Sequence, residues 1–209
     1  YNIQENLKIH DITGANYLDG FFEEYRKQNP KMLIISTESL LYYRYLNQDL
    51  SGLDPVDENP WLDVIRNNHV VGSNVWAAIE YLGETWGSGW PAKGMNGAIV
   101  DLCGFKKAPA AFYERYFKDD PVIRIIVCDE KVKMHERTAP VAWYFPNMAN
   151  HWSHSDIKDG TATIVKTVTN CETVELYMNG TFIGKKQKVH DDDREITWNV
   201  DYLSGEIKA

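Results

Sequence analysis

Positive charge is in short supply in this chain. Lys and Arg number 22 against 30 Asp and Glu, a formal net charge of −8 over 209 residues. That balance argues against a nucleic-acid backbone or an anionic membrane surface as partner, since both recruit basic surfaces. Cysteine is scarce as well: Cys103, Cys128 and Cys171 are far apart and odd in number. They form no metal-ligand spacing and no disulfide framework; at most one bridge is open to them, which leaves either redox compartment possible. No stretch approaches about eighteen apolar residues, so no segment reads as a membrane-spanning helix. Also missing are a signal peptide, a glycine-rich phosphate loop, a Ser-His-Asp order carried by local motifs, an internal repeat and a low-complexity tract. The run Asp191-Asp192-Asp193-Arg194 lacks calcium-loop spacing and reads as a solvated loop. No cofactor and no metal are expected.

What the chain does have is the composition of a folded domain, 44% hydrophobic and 25% charged. Aromatics reach 12%, with seven Trp and twelve Tyr. Such side chains supply flat apolar faces, mostly for a core but also for sugar rings. The charge balance fits a neutral substrate without requiring one.

The first part alternates strand-like and helix-like segments. Residues 9–17 read as a strand ending in polar groups, 19–28 as a helix with Phe21, Phe22 and Tyr25 on one side, and 32–37 as a second strand. A helix over 61–67, a third buried strand over 70–79, a Gly- and Trp-rich loop over 83–97 and an amphipathic helix over 108–117 follow. This is the rhythm of a parallel sheet or barrel. After Pro121 the rhythm is all β, with strands expected over 122–128, 140–144, 161–168 and 173–178. The Thr-rich segment 161–168 suits a sheet edge or a half-buried strand. Asn179-Gly180 between two apolar runs is a strong hairpin signal, and explains that site better than a glycosylation acceptor does. Short strands at this spacing suggest an immunoglobulin-like sandwich with Trp152 and Trp198 in its core.

Glu38 carries the functional reading. It follows the apolar run Met32-Leu33-Ile34-Ile35 at the C-terminal tip of a buried strand, where an unpaired charge is costly. In a parallel α/β barrel the active site lies at that end of the strands. The bland alternative is a carboxylate just past the strand, exposed or capping the next helix. His10 and His69 sit near strand ends and read more simply as structural; His135, His151, His154 and His190 read as surface. Trp86 and Trp90 either anchor their loop or flank a site, with Glu84 adding a polar contact there.

Three strands cannot close an eight-stranded barrel, which needs about 250 residues. The chain is therefore expected to be a fragment, or to work beside a missing N-terminal part of the same protein.

Four segments carry a resemblance: Asn16-Tyr17, then Ile34-Ile35-Ser36-Thr37-Glu38-Ser39, then residues 71–84 from Val71 to Glu84, then residues 96–107 from Asn96 to Lys107. Residues 169–180, ending in Asn179-Gly180, extend it into the β-rich part. In this order they resemble family 2 glycoside hydrolases, most of all the β-galactosidase-like members of bacterial glycan degraders. The resemblance implies a fold of class α/β plus all-β. Residues 1–120 would be the C-terminal part of a (β/α)8 TIM barrel, strands six to eight, and 121–209 an immunoglobulin-like β-sandwich, incomplete at its C-terminus. It implies Glu38 as catalytic nucleophile. Tyr17 would lie beside that carboxylate and orient it, Trp76 would form a wall of the sugar pocket, and Asn16, Tyr17, Trp76 and Glu80 would be the substrate-binding residues. Glu80 stands where relatives commonly carry Asp, which changes the reach of that carboxylate.

A retaining glycosidase uses two carboxyl groups about 5–5.5 Å apart. The nucleophile must be ionised, and Tyr17, Thr37 or Ser39 are candidate donors to it. The resemblance places the acid after an asparagine on the fourth strand, yet no Asn-Glu dipeptide occurs here. The acid/base is thus expected upstream, and the isolated piece is expected to be inactive. The partners implied are a carbohydrate substrate, the missing N-terminal part and a second copy in a homo-oligomer. The implied location is periplasmic or secreted. The competing reading is a non-catalytic carbohydrate-binding or structural sandwich module attached to a degenerate barrel.

Overall fold

The computed structural model describes residues 10–39, 61–85, 89–95, 97–128, 148–188 and 195–209. The expected strand over 140–144, the acidic run at 191–194, Trp86, His135 and His190 lie outside those residues. The described residues form two compact units, one up to Ala98 and the other from Ile99 onward.

The first unit is built on three parallel strands in the order β1 (Ile12–Asn16), β2 (Leu33–Ser39) and β3 (Val70–Val75). A single 3-10 turn (Asp19–Phe21) leads into α1 (Phe22–Gln28), and α2 (Trp61–Arg66) precedes β3. Glu23 and Glu24 in the first turn of α1, and Arg26 and Lys27 in the last, match the helix dipole. Its apolar side chains Phe22 and Tyr25 turn inward to join Ala15, Met32, Ile34, Val64 and Val70 in one core. His69 is buried within it, its Nε2 3.0 Å from the carbonyl oxygen of Phe22, a structural role. His10 is exposed. Alternate residues face the other way, and Ile12, Leu33 and Val71 are 51%, 38% and 54% exposed.

β3 is shorter than its apolar run. The sequence Val75-Trp76-Ala77-Ala78-Ile79 continues the pattern, but pairing ends at Val75 and Trp76 opens a turn. A small hairpin follows, β4 (Tyr81–Leu82) against β5 (Gly94–Met95).

The second unit contains α3 (Ala110–Phe117) and two antiparallel sheets. One has the order β11 (Glu195–Asp201), β8 (Ala162–Thr169), β6 (Ile123–Cys128), β7 (Met148–Ala149); the other is β10 (Thr181–Gln187), β9 (Thr173–Met178), β12 (Ile207–Lys208). Inward residues from both sheets make a shared core: Val127, Val165, Val174, Leu176, Met178, Trp198 and Val200, with Trp152 and Tyr202. This is the sandwich-like arrangement that alternating burial demands. Trp152 and Trp198 are core residues, as the sequence predicts.

β8 is not at an edge. It lies between β11 and β6, and its threonines are buried because each hydroxyl finds a main-chain acceptor. Thr167 donates to Ile196, Thr169 to Val122 and Thr163 to Thr161, and Trp198 Nε1 donates to Thr167 at 3.0 Å. The β9–β10 hairpin turns at Asn179 and Gly180, whose φ angles of 49° and 76° are the pair that such a turn needs. The Asn179 side chain is committed as well, donating to Ser204 O and accepting from the Glu206 N–H.

Candidate active site

The tip of β2 is where the three parallel strands lose step. Between Ala15 and Asn16 β1 advances one residue while its partners on β2 advance two, from Ser36 to Glu38. On the other side β3 advances two, Ser73 to Val75, while β2 advances three, Ser36 to Ser39. Both neighbours thus meet one extra residue in the same short stretch of β2, a bulge. Burial records the consequence. Ile34 and Ser36 are buried on the helix-covered side at 0% exposure, and the next buried position is Ser39 at 1%. Strict alternation would have sent Glu38 after Ser36 into that apolar core. The bulge gives the buried place to Ser39 and leaves the Glu38 carboxylate half-buried.

Main-chain bonds then tie the strand ends together around it. Asn16 is paired with Glu38, and the Tyr17 N–H donates to the Glu38 carbonyl at 2.8 Å. Tyr17 sits at φ 53°, a left-handed conformation that side chains rarely adopt and that turns the chain sharply at this point. On the far side the Trp76 N–H donates to the Ser39 carbonyl at 2.9 Å. Asn16, Tyr17, Glu38 and Trp76 are therefore neighbours at one end of one sheet.

The hydroxyls beside Glu38 are used on neighbouring strands and not on its carboxylate, unlike the sequence-based expectation for Thr37 and Ser39. Thr37 Oγ1 lies 3.2 Å from Ala15 O and 3.1 Å from Asn16 Oδ1. Ser39 Oγ accepts from Ser73 Oγ at 2.7 Å and donates to Asn74 O at 3.4 Å. Asn74 Nδ2 donates to Ser36 O at 3.2 Å. These groups fix the bulge. Ser73 and Asn74 were not singled out from sequence, and a polar pair inside an apolar strand was the available signal. A Cβ at Gly14 would sit 3.0 Å from Thr37 Cγ2, so that methyl would have to give way.

Trp76 is half-buried, its ring edge-on to Tyr81 at 5.9 Å between centroids. Its Nε1–H is buried with no hydrogen-bond partner among the described residues. Tyr81 donates its hydroxyl to Glu84 at 2.6 Å, so Glu84 is committed to holding the hairpin. Glu80 is half-buried four residues beyond Trp76, at the foot of that hairpin. Trp90 does not anchor its loop: it is 85% exposed.

Chemically, this arrangement offers a carboxylate at a strand end, a polar flank from Asn16 and Tyr17, and an indole with an unused donor. Among the described residues no cluster of His, Cys, Asp and Glu suits a metal ion. A cavity of about 430 Å³ in the second unit, lined by Glu114, Arg124 and His151 among others, is a separate feature. Its acid is already engaged by Lys106, Lys118 and Arg124.

Comparison with known proteins shows what the chain is similar to. Residues 160–209 match a domain of unknown function, DUF4982. The β-galactosidase BoGH2A of Bacteroides ovatus is 27% identical over 149 residues, 71% of this chain and 14% of that protein. A protein of Formosa agariphila that bears a provisional β-glucuronidase name is 28% identical over 137 residues, 64% of this chain and 11% of its own length. The chain thus spans a small part of the curated relatives it matches. Among solved structures, a glycosyl hydrolase family 2 member from Bacteroides cellulosilyticus superposes with a TM-score of 0.74 at 26% identity, over 94% of this chain and 25% of that one. The sequence relatives and structural neighbours of this chain are family 2 glycoside hydrolases, and the chain is similar to a C-terminal region of those enzymes.

Proposed function

We propose that the chain is part of a retaining exo-glycosidase that hydrolyses terminal β-galactosides or related β-glycosides, with Glu38 as nucleophile. The observation that carries this reading is the meeting of Asn16, Tyr17, Glu38 and Trp76 at the C-terminal ends of three parallel strands. That is the end at which barrel enzymes keep their chemistry. Residues 1–120 then supply strands six to eight of the barrel, and 121–209 the sandwich behind it. The bare sheet face carrying Ile12, Leu33 and Val71 is the barrel interior, covered in the full-length parent by strands that precede this chain.

The reaction proceeds in two displacements. Glu38 Oε attacks the anomeric carbon as the glycosidic C–O bond breaks, and an upstream acid gives its proton to the departing oxygen. The product is a glycosyl ester on Glu38. The same upstream group, now a base, takes a proton from water; the water oxygen attacks the anomeric carbon and frees Glu38. Asn16 and Tyr17 hold the carboxylate, and the bulge keeps it out of the apolar core. The sugar ring lies against the half-buried Trp76. Glu80, reaching further than Asp would, accepts from another hydroxyl. The setting is periplasmic or secreted.

The test is hydrolysis of aryl β-galactosides, then of a panel of other aryl glycosides, by the full-length parent and its Glu38→Gln variant. Loss of at least ~10³-fold in kcat on substitution supports the nucleophile. Activity unchanged by the substitution removes Glu38 from that role. Sugar binding with no cleavage of any glycoside makes this a binding module instead.

A further inference from the structure

We propose that Asn74 is a positioning residue for Glu38, bonding β2 on both sides of it; the proposal rests on the glycosidase reading above. β2 and β3 are in step at Ser36 and Ser73, and again at Ser39 and Val75. Between those pairs β2 has two residues, Thr37 and Glu38, where β3 has one, Asn74. Two residues facing one is the geometry of a bulge, and Asn74 is the residue they face. Its bonds reach β2 at either end of that pair. Upstream, Asn74 Nδ2 donates to the Ser36 carbonyl at 3.2 Å. Downstream, the Asn74 carbonyl accepts from Ser39 Oγ at 3.4 Å, and Ser39 Oγ is itself held by Ser73 Oγ at 2.7 Å.

On the β1 side the same two residues are held through the Glu38 carbonyl, by the Tyr17 N–H at 2.8 Å, and through Thr37 Oγ1, beside Ala15 O and Asn16 Oδ1. Asn74 is the counterpart on the β3 side. Asparagine is depleted in strands, and here it stands inside β3 with its amide committed to the main chain of the next strand. A bulge bends its strand and leaves the extra residue out of the ladder. With Ser36 and Ser39 both pinned to Asn74, the backbone that carries Glu38 keeps one course, and the carboxylate keeps one direction. Misplacing a reacting group by about 1 Å can cost on the order of a hundredfold in rate. The amide therefore acts on the attack by Glu38 and not on affinity for the sugar.

The experiment compares the full-length parent with its Asn74→Leu variant, which keeps the size of the side chain and removes the donor. An aryl glycoside that the parent cleaves gives kcat/KM, and inhibition by the free sugar product gives a Ki that reports affinity alone. Asn74→Leu is expected to lower kcat/KM at least about tenfold while leaving Ki within about twofold. A melting curve checks that the variant is folded; where it is not, Asn74→Ala is measured in its place by the same criteria. A kcat/KM within about threefold of wild type overturns the proposal. So does a Ki that rises in step with the loss of kcat/KM, which makes Asn74 a sugar contact. Should the wild type cleave no glycoside, the glycosidase reading fails separately. The clamp is then read from hydrogen exchange of the peptide containing Ser36, Thr37, Glu38 and Ser39. Faster exchange there in the variant, with α3 unchanged, upholds it; unchanged exchange overturns it.

Discussion

Glu38 is half-buried because its strand breaks step with both neighbours at that point. The sequence shows the apolar run and the carboxylate after it, and from these the site end of the strand is legible. The bulge is not, because it has no residue signature: it exists through the Thr37 bonds to Ala15 and Asn16 and the Ser73–Ser39 pair, which come from three strands. Thr37→Val keeps the shape and removes the hydroxyl. We expect it to cost about 1 kcal/mol in a denaturant titration and to lower kcat of the full-length enzyme by more than that loss of stability explains. A variant with unchanged kcat would separate the bulge from catalysis. Gly205 offers a second test of a single position. It sits at φ 134°, and a Cβ there would lie 2.1 Å from Asn179 Oδ1, the atom that accepts from Glu206. Gly205→Ala should cost more than about 1 kcal/mol, read as a lower denaturation midpoint.

Among the elements, those fixed by local chemistry were the legible ones. The β9–β10 hairpin follows from Asn179-Gly180, and α1 from its inward Phe22 and Tyr25 and its flanking charges. Elements fixed by partners were only partly legible. β8 read as either a sheet edge or a half-buried strand because threonine is half-polar; it is not at an edge, and its neighbours supply the acceptors that let Thr167 be fully buried. β3 looked longer because apolar residues continue past Val75, whereas Trp76 and Ala77 form a turn. The tie between α3 and β6 is also non-local. Glu114 is largely buried, which pushes its pKa up, but the Lys106 hydrogen bond and the charges of Arg124, Lys106 and Lys118 outweigh burial and hold it below the usual 4.5. A depressed carboxylate contributes stability that is fully present above the unfolded-state pKa and is lost as pH falls through the folded-state one. Glu114→Gln should therefore lower stability by about 1–2 kcal/mol at neutral pH. The gap to wild type should close as pH falls from 4.5 through the depressed folded-state pKa. Melting curves across pH check this; a gap that does not depend on pH would show that the ion pairs contribute little.

For the whole molecule, each unit has its own core, and the site residues of the first all come from one sheet end. What this chain lacks, on the glycosidase reading, is the acid that protonates the leaving group. Without that group the chemistry loses typically 10²–10⁴-fold, so the isolated 209-residue chain should show no measurable turnover of an unactivated glycoside where the full-length parent does. On that reading the absence of an Asn-Glu pair from the sequence is its trace in this chain. The most direct measurement traps the covalent intermediate. The full-length parent is treated with a 2-deoxy-2-fluoro glycoside bearing a good leaving group, digested, and mapped by mass spectrometry. The account predicts one sugar added to the peptide containing Glu38 and no labelling of Glu38→Gln. A label on any other carboxylate, from an enzyme that does hydrolyse the parent glycoside, would contradict it.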